Sequence, residues 1–348
     1  MREEFDGLVE PQSSIPYVQI VMFAVARGTA AIPGNNIKNV VTWKNRVLEG
    51  FILALEIFYL LFRMTLAILE SIYELVLPPK EKCLEGQIAL VTGSGHGIGQ
   101  EIVRRLAAEG CTVVGWDINE EGNAETYKLV KEEGFGSRVH FYSCDVTNRN
   151  DVLSTAKRVE EDVGTVSLLI NNAGVMVCKP LCQQSAKNIE NVFNVNIISH
   201  FWTLEAFLPK MKEKNFGHIV AVCSACGVVG LPYAVPYSAS KFAVRGLMET
   251  LQEELRISEN NSSIKFTTVN PIMVDTGLAK KPRNRFPSLV NILTVKEVAD
   301  CIIKAIKREQ SELSVPGFVM TLDRFMRFFP KKVYQYSRDF MDTGVDPE

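Results

Sequence analysis

Ile88-Ala89-Leu90-Val91-Thr92-Gly93-Ser94-Gly95-His96-Gly97-Ile98-Gly99 sets the reading of the whole chain. An apolar run ends at Thr92 and enters a glycine cluster, and an amphipathic stretch over 98–108 follows at once. That order is strand, tight turn and helix. Glycines let a backbone turn sharply and approach a pyrophosphate, whose charge the helix N-terminus stabilises. The common G-x-G-x-x-G spacing fails, because Ile98 stands where the third glycine belongs. The spacing that fits is G-x-x-x-G-x-G through Gly93, Gly97 and Gly99, with Ser94, His96 and Ile98 completing the loop.

Working outward, Asp117 ends the next strand-like run, 18 residues beyond Gly99. A carboxylate there accepts from both hydroxyls of an adenosine ribose and repels a 2′-phosphate. With no Arg or Lys in the loop or beside Asp117, NAD is expected over NADP. The plainer alternative for Asp117 is a turn-initiating residue before Ile118-Asn119. Short apolar runs at 88–91, 112–116, 139–143, 168–170, 218–222 and 265–269 alternate with amphipathic stretches at 98–108, 126–133, 152–163, 189–208 and 237–255. Such alternation predicts an α/β fold: one Rossmann-type, doubly wound parallel sheet with helices on both faces.

The pattern Tyr-x-x-x-Lys occurs twice, at Tyr127/Lys131 and at Tyr237/Lys241. The first pair lies among Glu125, Lys128, Glu132 and Glu133 and reads as a solvated helix face. The second follows a strand that ends at Ser224, thirteen residues earlier. Taken together, Thr92-Gly93-x-x-x-Gly97-Ile98-Gly99, Asn171-Asn172-Ala173-Gly174, Ser224 and Tyr237-x-x-x-Lys241 resemble the short-chain dehydrogenase/reductase superfamily over about residues 86–277. The resemblance extends to a membrane-anchored branch with retinol and 17β-hydroxysteroid dehydrogenases, on Trp116-Asp117-Ile118-Asn119, His200-Phe201-Trp202 and Pro236-Tyr237-Ser238-Ala239-Ser240-Lys241-Phe242.

The chemistry explains the residue types. Moving a hydride from an alcohol requires a base for the hydroxyl proton, and free tyrosine titrates near 10, so Tyr237 needs a downward shift. Lys241, one helical turn on, presents an ammonium on the same face that stabilises a phenolate. Ser224 is placed to hold the substrate oxygen. The resemblance implies further roles: Asn196 anchoring a relay water beside Lys241, Asp145-Val146 at the adenine, Asn172 and Gly174 lining the cofactor, and Thr276 on the carboxamide. Ile272 departs from the family, where glycine commonly follows the matching proline. Asn196 also fits a helix-interior side chain that bonds backbone.

The composition leaves one feature over. The chain has 348 residues, 47% of them hydrophobic and 22% charged, which excludes a disordered chain. A net charge of −2 and the absence of a Cys/His zinc spacing argue against a nucleic-acid partner and a metal centre. The mean hydropathy of +0.06 is high for an α/β enzyme. The surplus sits in 51–77, which Pro78-Pro79 ends. As a helix this segment is long enough to cross a bilayer, with Glu56, Arg63, Glu70 and Glu74 in one narrow stripe. Spanning, lying in the interface and forming a buried core helix all remain open readings of it.

The expected organisation is an N-terminal extension over 1–50, a membrane-anchoring helix over 51–79, an NAD-binding dehydrogenase domain over 84–285 and a substrate-side segment over 286–348. Within it, 277–293 forms a substrate lid. The stretch 318–332, with Phe318, Leu322, Phe325, Met326, Phe328 and Phe329 beside Arg324, Arg327, Lys331 and Lys332, suits either a membrane contact or a helix closing the pocket. The eight cysteines are too sparse for a disulfide framework, and Cys223-x-x-Cys226 ends an apolar strand rather than opening a helix. That usage favours the cytosolic side of an endoplasmic reticulum membrane or lipid droplet. The sequons at Asn260 and Asn261 count only if the domain is luminal. The expected activity is NAD-dependent oxidation of a lipophilic alcohol, all-trans-retinol first and a 17β-hydroxysteroid second, by a homodimer. A scaffold without chemistry is the third reading.

Overall fold

The computed structural model describes residues 35–77, 79–258, 262–287 and 291–347. Most of the N-terminal extension, both sequon asparagines and part of the expected lid lie outside the described residues. The chain divides into two units, Met1–Pro78 and Pro79–Glu348.

In the first unit, helix α1 runs Asn35–Val76, starting well before the expected boundary at 51. Its stretch Asn45–Glu74 spans 30 residues, and the most apolar 18-residue window within it has a mean hydropathy of 2.1. At about 1.5 Å per residue the stretch is roughly 45 Å long, beyond the thickness of a hydrocarbon core.

The second unit is the alternating α/β body. Strands β1 (Ile88–Thr92), β2 (Thr112–Asp117), β3 (Val139–Ser143), β4 (Leu168–Asn171), β5 (His218–Val222), β6 (Lys265–Pro271) and β8 (Glu312–Val315) form one parallel sheet in the order β3-β2-β1-β4-β5-β6-β8. β4 and β5 are buried at every position, as strands covered on both faces must be. Side chains alternate across β1: Ala89 and Val91 join one core, Leu90 the other. The first core closes under α2 (Gly97–Ala108) and α8 (Val295–Lys307), through Ile102, Leu106, Ile302 and Ile306. The second closes under α6 (Ser199–Glu213) and α7 (Val235–Ser258), through Phe207, Met211, Val244 and Met248, with α4 (Arg149–Asp162) at its margin. Each fully buried side chain of this size contributes about 1.5–3 kcal/mol relative to exposure.

Strand order reverses between β1 and β4, which opens a crevice at the carboxyl ends of the strands. Late elements cover it: β7 (Pro282–Asn284), α9 (Phe318–Met326), α10 (Lys331–Met341) and β9 (Thr343–Val345), with β7 and β9 paired antiparallel.

Candidate active site

A cavity of about 620 Å³ fills the crevice. Its floor at one end is the turn between β1 and α2. Gly93 and Gly97 hold left-handed φ values of 69° and 59°, and a Cβ on Gly99 would stand 1.9 Å from the Gly93 carbonyl. The glycines are thus imposed by the turn and by the approach of α2 to β1. α2 also differs from its neighbours at its N-terminus. Asn119, N-cap of α3 (Glu120–Glu132), and Thr294, N-cap of α8, each accept from a backbone N–H, whereas His96 caps α2 with no side-chain bond. Gly97 and Ile98, which open α2, line the cavity, and no side chain of the N-cap residue competes for their amides.

Asp117 lines the same end. Its Oδ2 accepts from Gly95 N at 2.9 Å and its Oδ1 from Asn119 N at 2.9 Å. The turn-initiating reading therefore holds, and the carboxylate also fixes the glycine loop. Asn172 braces the loop from the other side. Its Nδ2 donates to the Thr92 and Gly93 carbonyls at 2.9 and 3.1 Å, while Thr92 Oγ1 accepts from the amides of Asn172 and Ala173.

The other end is set by β5 and α7. β5 ends beside Ser224, whose Oγ accepts from Cys226 N at 3.1 Å and caps the turn Ala225–Gly227. A Cβ on Gly227 would meet the Lys241 carbonyl at 2.9 Å, so only glycine lets this turn lie against α7. Tyr237 and Lys241 project from α7 into the cavity, 6% and 3% exposed, with Lys241 Nζ 5.7 Å from the Tyr237 ring centre. Lys241 Nζ donates to the Val222 carbonyl at 2.9 Å. Burial pushes the Tyr237 phenol well above its usual value, the Cys226 thiol adds to this, and a hydrogen bond with Ser224 opposes it. Burial likewise pushes the Lys241 ammonium down. The protein's own groups thus hold the pair toward neutrality, opposite to the downward tyrosine shift the chemistry requires, because both groups are desolvated together.

Asn196 is fully buried in a π-helical segment, Asn194–Ile198, that joins α5 (Ala186–Phe193) to α6. Its Oδ1 accepts from Val175 N at 2.8 Å, and its Nδ2 donates to the Val175 carbonyl and to Ser240 Oγ. A Cβ on Gly174 would sit 3.5 Å from Asn196 Oδ1 and 3.6 Å from Lys241 Nζ, so the three groups adjoin.

Of the residues expected at the site, the cavity wall holds Gly93, His96, Gly97, Ile98, Asp117, Asn172, Gly174, Ser224, Tyr237, Lys241 and Thr276. Five expected residues lie off that wall. Ser94 turns away and donates to Asn123 Oδ1 at 2.7 Å, and Gly99 serves the packing of α2. Asn196 bonds the backbone as described. Asp145 closes a turn onto Thr147, and Val146 is buried. Tyr127 and Lys131 lie on α3, outside the cavity, with Tyr127 39% exposed. Cys223 and Cys226 are free thiols, and burial pushes Cys226 up to about 11, away from redox reactivity.

Sequence reasoning missed much of the substrate side. Met176, Val229 and the α10 residues Tyr334, Ser337 and Arg338 all line the cavity, beside Leu278 of the expected lid and Asp323 of the 318–332 stretch. No local motif marks them.

The family model described as short chain dehydrogenase matches residues 87–285. The chain belongs to the short-chain dehydrogenase/reductase family. It is 42% identical over 250 residues to short-chain dehydrogenase/reductase family 16C member 6 of Bos taurus, covering 72% of this chain and 78% of that protein. To estradiol 17-beta-dehydrogenase 11 of Homo sapiens it is 38% identical over 278 residues, 80% and 91% of the two chains. To epidermal retinol dehydrogenase 2 of Homo sapiens it is 35% identical over 286 residues, 82% and 92%. Among solved structures, a family member from Burkholderia phymatum in complex with NAD superposes with a TM-score of 0.63 at 27% identity, covering 70% of this chain and 93% of that one. An alcohol dehydrogenase from Thermococcus sibiricus, complexed with 5-hydroxy-NADP, gives 0.58 at 27% identity, covering 66% and 96%. The chain is thus an oxidoreductase of this family, with its dinucleotide fold.

Proposed function

We propose that the protein is an NAD-dependent dehydrogenase of lipophilic alcohols that works from a lipid surface. The observation carrying this is one cavity lined by the glycine turn, the start of α2 and Asp117 at one end, and by Ser224, Tyr237 and Lys241 at the other. The residues fit NAD: the cradle is too tight for side chains at Gly99, and Asp117 offers a carboxylate where a ribose diol lies. When bound, NAD supplies the acceptor for the hydride that leaves the carbinol carbon. Ser224 Oγ holds the substrate oxygen and Tyr237 Oη takes its proton, leaving a carbonyl product. Lys241 stabilises the phenolate, and Asn196 fixes the Val175 backbone beside it. Thr276, whose methyl group faces Gly97, would meet the nicotinamide end, and Asp145 and Val146, which lie off the cavity wall, would border the adenine from outside it.

We take all-trans-retinol as the first substrate to assay and a 17β-hydroxysteroid as the second; relatives named as a retinol dehydrogenase and an estradiol 17-beta-dehydrogenase support both. Purified membranes carrying the protein should oxidise one of them with NAD. Failure on both, beside an active control enzyme, refutes the reading. Asp117→Asn should lower the NAD-to-NADP ratio of kcat/KM by about tenfold, the worth of a charge-assisted hydrogen bond. An unchanged ratio would remove Asp117 from cofactor choice.

The apolar α1 suits anchorage, spanning or interfacial, in the endoplasmic reticulum membrane or on a lipid droplet, with the catalytic unit in the cytosol. Phe328, 87% exposed beside Lys331 and Lys332, suits a second contact. Resistance to extraction by high salt, together with no mobility shift on glycosidase treatment, is the expected behaviour. Phe201 and Phe242, 47% and 44% exposed on α6 and α7, suit a homodimer face, to be read by cross-linking.

A further inference from the structure

The substrate end of the cavity is not uniformly apolar. Phe318, Leu322 and Met326 line it from α9, but the wall supplied by α10 carries Tyr334, Ser337 and Arg338. Asp323 of α9, 6% exposed, is the carboxylate at this end, and it is already engaged: Arg327 Nε donates to its Oδ2 at 2.7 Å and Tyr334 Oη to its Oδ1 at 3.0 Å. Arg338 is held differently. One of its Nη atoms donates to the Gly230 carbonyl at 2.8 Å, and no carboxylate pairs with it among the described residues. A guanidinium has five N–H donors, so most of its capacity is unspent. Arg327, which is not part of the wall, balances Asp323, so Arg338 is the uncompensated charge among the lining side chains at this end. That end is rich in donors and its one acid is satisfied.

The Gly230 bond also explains why the guanidinium stays at the wall. Gly230 and Val229 belong to the loop that follows Ser224, and both line the cavity. The same loop accepts from Arg327 at the Val228 carbonyl. The two arginines therefore tie the α9–α10 cover to the catalytic loop, and Arg338 is oriented before any substrate arrives. An oriented, half-exposed guanidinium loses little entropy on binding an acceptor.

We propose that Arg338 and Ser337 form a distal subsite for an acceptor oxygen, a carboxylate in first place, on the substrate end remote from the oxidised carbinol. The inference rests on the proposed function and sharpens it. Within lipophilic alcohols, it ranks long-chain hydroxy acids and other substrates with a second oxygen above an alcohol whose far end is plain hydrocarbon, retinol included. The apolar middle of the cavity takes the chain, and the two polar ends fix its length and direction.

The test is a matched series assayed with NAD on the full-length protein in membranes: ω-hydroxydodecanoate, dodecanediol and dodecanol. The wild type should show kcat/KM falling in that order. Arg338→Gln should cost roughly 10–100-fold on the hydroxy acid, the range for a charge-assisted hydrogen bond, through KM more than kcat. Its cost on dodecanol should be no more than a few-fold, from the lost tie to Gly230. Arg338→Lys should recover part of the preference, and Ser337→Ala should weaken it; both keep the inference testable if the Gln variant melts early. Equal turnover of acid and plain alcohol by the wild type, or an equal loss on both in Arg338→Gln, overturns the subsite. No turnover of any alcohol with either dinucleotide overturns instead the dehydrogenase reading beneath it.

Discussion

At one end of the cavity the wall is backbone, and at the other it is side chain. The β1–α2 turn presents amides and glycines, held by Asp117, Asn172 and Asn123, with no room for alternatives at Gly99. The α9–α10 cover presents Leu322, Met326, Tyr334 and Arg338, long side chains on helices that are largely exposed. Backbone that must approach a fixed ligand tolerates almost no substitution, whereas side chains on a cover can be exchanged with the fold intact. The first end suits an invariant cofactor, the second a substrate that differs between relatives.

The largest effect should come where the two ends meet. Tyr237→Phe removes the proposed base and should lower kcat by about 10²–10⁴-fold while leaving NAD affinity and the melting temperature near wild type. A Phe variant with undiminished kcat would remove Tyr237 as the base, and an inactive variant with an unchanged cellular phenotype would revive the scaffold reading. Gly99→Ala tests the rigidity of the backbone end. Its Cβ would collide with the Gly93 carbonyl, so destabilisation of about 1–3 kcal/mol and weaker NAD binding should appear together by calorimetry. A variant with normal NAD affinity would show that the loop can yield.

A third region, the foot of the sheet, supplies a control remote from both ends. His218, at the start of β5, bonds Lys82 and Thr267, and burial followed by the Lys82 and Lys265 charges lowers it to about 3 from 6.5. The unfolded chain takes up a proton as pH falls below 6.5, whereas the folded chain does not until about 3. Its stabilising contribution is therefore complete above 6.5 and erodes on acidification, by about 1.4 kcal/mol per pH unit. His218→Gln should flatten the acid limb of the stability curve by one proton, read by denaturant melts across pH; an unchanged limb would mean that His218 titrates normally. The smallest effect belongs to the substrate cover. Leu322→Ala, at a position 46% exposed, should raise KM for a lipophilic alcohol by less than about tenfold and leave NAD affinity alone. A change in NAD affinity would mean that the two ends are not separable.

The sheet, its helices and the Ser224, Tyr237 and Lys241 group were legible because each rests on short-range pattern: a continuous apolar run in β1, buried on both faces, an i+4 pair on α7, glycines at a strand end. The same logic separated Tyr237/Lys241 from Tyr127/Lys131 by what precedes each pair. Asn172 was legible as a position but not as a brace, because β4 reaches β1 only through the strand-order reversal. Residues 318–332 left two readings open. On the helix, Phe318, Leu322 and Met326 share one face at the cavity, while Phe328 just beyond is exposed, so a pocket wall and a surface patch adjoin in one short segment. Tyr334, Ser337 and Arg338 carried no signal, since their place depends on a cover folding back across the sheet.

Sequence alone determined the family, the dinucleotide turn, the spacing of Ser224, Tyr237 and Lys241 and the apolar helix, because each is written in short stretches whose spacing is set by helix and strand geometry. Tertiary structure decided what those residues touch: that Asp117 and Asn172 hold the loop, that Asn196 bonds the Val175 backbone, and that the α10 wall of the cavity carries Arg338. The reason is physical. Periodicity is a property of one segment, whereas contacts among distant segments depend on how strands are ordered and where a terminal cover comes to rest.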